Sequence, residues 1–221
     1  MILRWISLAT FLLAVAVLWL SSPTEAHDLW TLKSLVLAGP SLIIFGLTWR
    51  PLFKWAYTVA FARVWMFPLL DGDWHGEVHS NWPRIRAMME AARGDGPRFD
   101  ALSDPTPAQY ETGPVSIDAK IESGLFDIKI TLVMSATRRS HTIFVKPEWR
   151  RPDRPRLHYM YRQQEDGAVA ITDTGQHLGA GSLDYTADGE ILSGVYWTER
   201  QAEQGLNTAG RIRLIRGRRK P

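Results

Sequence analysis

Two long apolar runs open the chain and limit what its first third can fold into. Residues 5–20 are apolar apart from Ser7 and Thr10, and residues 29–49 carry one charge, Lys33, and a kink at Pro40. With Met1, Ile2 and Leu3, the first run approaches the roughly 20 residues a helix needs to cross about 30 Å of hydrocarbon. Proline is tolerated within such spans, and a buried hairpin in a soluble protein fits two runs of this length poorly. Residues 1–67 are therefore expected to form a transmembrane helical hairpin.

Charge placement orients it, because cytoplasmic flanks carry the excess Lys and Arg. The connector 21–28 contains Glu25 and Asp28 and no base, whereas Arg4 precedes the first run and Arg50, Lys54 and Arg63 follow the second. Both ends are thus expected in the cytoplasm, in a two-pass arrangement. Trp5 and Trp49 would lie at the inner interface, Trp19 and Trp30 at the outer one. A competing reading treats Arg4, the first run and Thr24, Glu25 and Ala26 as a signal peptide with a small-residue cleavage site. It would leave one span and the same cytoplasmic bulk. Residues 51–67 alternate apolar and basic side chains and read as an interfacial helix or a continuation of the second span, ended by Pro68.

Beyond residue 67 the material changes. The first 67 residues hold six of the ten tryptophans and two acids, whereas 68–221 balance 21 acids with 21 bases. Period-2 alternation now dominates. Residues 72–79 set Trp74, Gly76 and Val78 against Asp73, His75, Glu77 and His79. Residues 115–122 and 125–134 alternate likewise. Further candidates are 142–146, 156–163, 177–186, 190–198 and 209–216, with Ala187, Asp188 and Gly189 as a hairpin signal. Eight short strands suggest an antiparallel β-barrel, because closure removes exposed edges. Residues 84–93 have helical spacing and could cap one barrel end. Residues 94–114 form a long proline-rich loop, and 146–156 a stiff basic one. The expected organisation is a membrane region over 1–67, a barrel over 68–216 and a basic tail over 217–221. The last eleven residues hold six bases, read as a solvated end or an anionic-lipid contact.

Several functions are disfavoured. A net charge of +3 and the absence of cysteine argue against a dedicated DNA binder and exclude thiolate metal sites and cysteine nucleophiles. There is no phosphate-cradling loop, dinucleotide fingerprint or nucleophile elbow. His75 and His79 share a strand face but lie about 13 Å apart at extended spacing, too far for one metal. Gly179 and Gly181 read as a bulge or close packing. No catalytic residue, metal or cofactor is expected, and the chain is read as no enzyme. Aromatics and arginines recur on neighbouring strands instead: Trp74, Tyr159, Tyr161, Arg162, Tyr196, Trp197 and Arg200. Flat rings stack on bases, and arginine supplies fixed donors to phosphate. The alternative is that these residues fill the barrel's own core.

Leu70, Asp71, Gly72, Asp73, Trp74, His75 and Gly76, then Ser80, Asn81 and Trp82, carry a resemblance. His177, Leu178, Gly179 and Leu183 continue it, followed by the run from Leu192 to Arg200 and the ending from Ala209 to Arg216. Together with the double span, this order resembles the two-transmembrane, β-strand-rich effector family of bacterial cyclic-oligonucleotide anti-phage signalling (CBASS). The resemblance implies an inner-membrane receptor. Its cytoplasmic barrel would bind a cyclic di- or trinucleotide messenger, the protein would self-associate, and the spans would breach the membrane, killing the infected cell. It places Trp74, Gly76, Tyr159, Tyr161, Gly194, Tyr196, Arg200 and Gly210 in the family pattern. The chain departs from that pattern at Gln163, Gln164 and Glu165, where a turn with Asn and Pro is expected. The ligand-binding residues expected are Trp74, Tyr159, Tyr161, Arg162, Tyr196 and Arg200. Gly39 and Gly46 share one face of the second run and would let spans pack once clustering raises their effective concentration. Two rivals remain: a membrane-tethered barrel that carries an apolar ligand, and a structural assembly module.

Overall fold

The computed structural model describes residues 39, 43–59, 67–111, 113–125, 127–148, 155–167 and 175–217. The first apolar run, its connector and most of the second run lie outside the described residues, as do 149–154 and the tail beyond Gly217. Among the described residues, no helix is long and apolar enough to cross a membrane. Two compact units emerge.

The end of the second apolar run is helical over 43–47 and breaks at Thr48 and Trp49 before helix α1, Arg50–Val59. Pro51 explains the break, since it has no N–H to donate and its ring crowds the preceding turn. Thr48 Oγ1 donates to the Phe45 carbonyl at 2.6 Å instead. Phe53 and Tyr57, one turn apart on α1, are buried and meet edge to face with ring centroids 6.2 Å apart.

The second unit is a closed barrel of eight antiparallel strands in sequence order. The strands are β1 (Gly72–Ser80), β2 (Val115–Ser123), β3 (Ile128–Val133), β4 (Arg138–Glu148), β5 (Arg156–Glu165), β6 (Gln176–Thr186), β7 (Ile191–Thr198) and β8 (Ala209–Arg216). Strand β8 returns to β1 with Trp74 opposite Arg216 and Ser80 opposite Gly210. Closing so small a sheet forces strands together. A Cβ at Gly76, Gly194 or Gly210 would meet a neighbouring strand's carbonyl oxygen at under 3.0 Å, so no larger residue fits there.

Alternation works as expected in β1, where Trp74 and Val78 turn inward while Asp73, His75 and His79 face water. Three strands differ from the sequence reading by two residues or more. Strand β3 begins at Ile128 rather than 125, because Gly124 N donates to Asp127 O at 2.7 Å and closes a turn. Strand β4 extends well beyond 142–146 at both ends. Its register shifts between Thr142 and Phe144, and that bulge reverses the inward phase and hides the strand from a period-2 search. Strand β5 runs two residues beyond 163, through Gln164 and Glu165.

Between β1 and β2 stands helix α2, Trp82–Arg93, two residues longer at its start than the spacing suggested. Pro83 suits a first turn, where an N–H has no partner anyway. Asn81 ties the helix start to β8: its Oδ1 accepts from Ala209 N and its own N donates to Ala209 O, both at 2.9 Å. Gly94, at φ 78°, ends the helix in the left-handed conformation.

One end of the barrel is solidly filled. Leu70, Trp74, Ile121, Leu157, Leu183, Leu192 and Leu214 are no more than 1% exposed. Trp74 donates its indole N–H to the Leu70 carbonyl at 2.9 Å, and the Arg216 guanidinium lies 4.9 Å over its ring. Arg216 also donates to the Leu69 carbonyl, so the entering chain is bolted across this end.

Candidate functional site

The opposite end is a cup. Between the ends of β1, β3, β5 and β7 the barrel interior widens into a cavity of about 180 Å³. Its wall has two halves of different chemistry. Val78, Ile117, Leu132, Met134 and Ile212, from β1–β3 and β8, make an apolar half. Strands β4, β5 and β7 supply the other half: Arg138 and Ser140, then Tyr159, Tyr161 and Gln163, then Tyr196 and Thr198.

Strand β6 contributes room rather than a side chain. Gly181 is opposite Tyr159 and Gly179 opposite Tyr161. A Cβ at either glycine would lie under 3.0 Å from the facing tyrosine ring. The two glycines therefore let both rings lie down over the β6 backbone, stacked with centroids 5.8 Å apart and planes at 30°. Close packing explains this glycine pair, and the bulge lies elsewhere, on β4.

Tyr159 and Tyr161 are 4% and 6% exposed. Burial pushes both phenols well above the usual tyrosine range, the Arg200 cation pulling slightly the other way on Tyr161. The Tyr196 phenol is also raised by burial, opposed by its hydrogen bond with Ser80 and by Arg200. All three are neutral donors near neutral pH. Gln163 is equally buried, at 6% exposed. Tyr159, Tyr161 and Gln163 all border the cavity.

Other polar groups are already engaged. Thr198 and Thr208 share a 3.0 Å hydroxyl contact that pins the β7–β8 connection. Arg138 donates twice to Glu165 Oε2, at 2.6 and 3.1 Å, so its charge is partly balanced. Arg200, just beyond β7, brings a further cation to the lining.

Helix α2 borders the same mouth through Trp82, whose backbone N donates to Ser80 Oγ at 3.1 Å. The long loop folds back on this helix. Tyr110 donates to Glu90 at 2.6 Å and Arg86 to Glu90 at 2.9 Å. Those bonds, the Tyr110 one first, hold the Glu90 carboxyl below its usual range. Arg84 donates to the Ala101 carbonyl and lies 5.3 Å over the Phe99 ring.

Of the six residues singled out in the sequence, the fold brings Tyr159, Tyr161, Tyr196 and Arg200 to the cavity. Trp74 faces inward as well but lies in the packed end. Arg162 alternates with Tyr161 and Gln163 and faces out, beside His177 and Glu199. Sequence reasoning missed Gln163, Arg138, Ser140 and Trp82. Gln163 was within reach, two residues beyond Tyr161 on the same strand face. Arg138 and Ser140 were not, because the bulge concealed the start of β4. Among the described residues, no group of three or more His, Asp or Glu side chains is placed to hold a metal ion. No family model matches the chain, and no curated protein matches it either.

Proposed function

We propose that the barrel is a receptor for a cyclic nucleotide messenger and that the chain is a membrane-anchored effector of the anti-phage class it resembles. One observation carries this reading: two stacked tyrosines, a third tyrosine, a glutamine amide and Arg200 line one cavity. A purine or pyrimidine edge offers donors and acceptors that match phenol hydroxyls and an amide. Its faces suit tyrosine rings and the apolar half of the wall. The cavity has room for one base, which leaves the sugar–phosphate ring at the mouth near Arg200. Binding would favour clustered barrels, and clustered spans at the cytoplasmic side of the bacterial inner membrane would then breach it. Ligand can do this only if it binds the clustered form more tightly than the single chain.

The test is a thermal-shift series on the full chain in lipid nanodiscs with cyclic di- and trinucleotides. A ligand at about 100 times its Kd stabilises by about 2.7 kcal/mol, or roughly 5–10 °C for a barrel of this size. Gln163→Leu and Arg200→Ala should each reduce the shift while leaving the unliganded Tm close to wild type. Silence across the whole panel would overturn the reading.

A second reading rests on the apolar half of the cavity: a membrane-tethered carrier or sensor of an apolar ligand, with the tyrosines as packing. It predicts the converse pattern, a shift with acyl or isoprenoid probes that is insensitive to salt and to Arg200→Ala.

A further inference from the structure

The outer wall of the barrel is as asymmetric as its interior. Strand register sets Phe144 opposite Met160, Met160 opposite Ala180 and Ala180 opposite Trp197. This row crosses four strands and points outward. Phe144 is 56% exposed, Trp197 49% and Met160 46%, and the bulge residue Ile143 and nearby Val195 are similarly open. The row exposes on the order of 500 Å² of apolar surface, near the upper end of what a single soluble chain leaves uncovered.

Its flanks are cationic. One adjoining row carries His141 and Arg162, the other Lys146, His158 and Arg211, all exposed. Neither row has a carboxylate on its strands. Among the described residues, the acids beside these rows include Glu148, which contacts His158 at 3.1 Å, and Glu199 and Glu203, past β7 beside Arg162. Asp184, one row further along, is held by Arg156 at 2.6 Å. The opposite wall, β1 and β2, shows Asp73 and Asp118 among its exposed positions, with Glu77 half-buried, and no comparable apolar row.

We propose that this β4–β7 wall is a docking surface for an anionic lipid bilayer. Tryptophan and phenylalanine with a ring of Lys, Arg and His match the boundary between acyl chains and negative headgroups. Two copies of this chain fit less well. Face to face they would bring Lys146, Arg162 and Arg211 against one another. A nucleic acid leaves the apolar centre unexplained. Each Lys or Arg near an anionic surface strengthens attachment roughly fivefold. This surface is independent of what the cavity binds.

The chain has no cysteine, so one introduced thiol can report on one position. The full chain is labelled with an environment-sensitive fluorophore at Met160→Cys or, as control, Lys120→Cys, mixed with vesicles of phosphatidylcholine alone or with phosphatidylglycerol, and floated. In anionic vesicles the label at 160 should shift to the blue and be quenched by lipids brominated near the headgroup, while the label at 120 remains in water. High salt should weaken the shift, and Lys146→Gln with Arg211→Gln should weaken attachment of the wall roughly 25-fold. A chain that floats with both vesicles but keeps position 160 in water overturns the docking surface alone. Burial at 160 that is equal in neutral lipid and grows with protein concentration means contact between copies, and also overturns it. A chain that floats with neither overturns the docking surface and the membrane tether together.

Discussion

Placing a methyl group at position 179 tests how the cavity is built. Gly179 faces Tyr161 on the neighbouring strand, and a Cβ there would lie under 3.0 Å from the ring. The ring cannot retreat outward, since it is buried against its own strand and stacked on Tyr159. It can only swing into the cavity or push β5 and β6 apart. Overpacking of this kind costs about 1–3 kcal/mol, so Gly179→Ala should lower stability by that amount and disturb ligand binding. With Tyr161→Ala as background, the obstacle is gone. Alanine is then the better strand residue, by about 0.5–1 kcal/mol. The sign of the Gly179→Ala effect should therefore reverse between the two backgrounds, giving a coupling of about 1.5–4 kcal/mol. Urea denaturation of the four proteins, followed by tryptophan fluorescence, measures it. An equal penalty in both backgrounds would refute the idea that glycine is present to seat the tyrosine.

Three further outcomes follow from the same geometry. Trp74→Ala empties the centre of the packed end and should cost about 3–5 kcal/mol, seen as a lower Tm with the unfolding slope unchanged. Tyr159 and Tyr161 have folded-state pKa values raised by burial from the unfolded value of 10.0. The folded state therefore holds their protons more tightly. Their contribution is intact below pH 10 and lost as pH rises beyond it. Alkaline denaturation should show this loss, and it should shrink in the Tyr159→Phe/Tyr161→Phe double variant. Gln163→Leu replaces a buried amide at the cavity by an apolar side chain, so the unliganded urea midpoint should stay close to wild type. A clear loss of stability would mean that the amide is structural.

Much of the barrel can be read directly from its residues. Alternation in β1, β2 and β5 separates inward Trp74, Ile117 and Tyr159 from outward His75, Asp118 and Met160, because successive side chains on a strand point to opposite faces whatever surrounds them. The same rule already places Arg162 outside, between Tyr161 and Gln163, and gives Gln163 the face of the two tyrosines. Period alone failed at β4, where one extra residue near Ile143 shifts the register and exchanges the faces beyond it.

Parity tells which way a side chain points but not how far along the barrel it sits. Trp74 and Tyr161 both face inward. One seals the floor beneath Arg216 and the other lines the cup, and only the stagger of eight strands on closure assigns those depths. The outer apolar row is likewise invisible in the chain order, since Phe144, Met160 and Trp197 become neighbours only through three successive strand pairings. Local sequence carries direction because it is a property of one strand. Depth and adjacency belong to the closed sheet, and no single strand contains them.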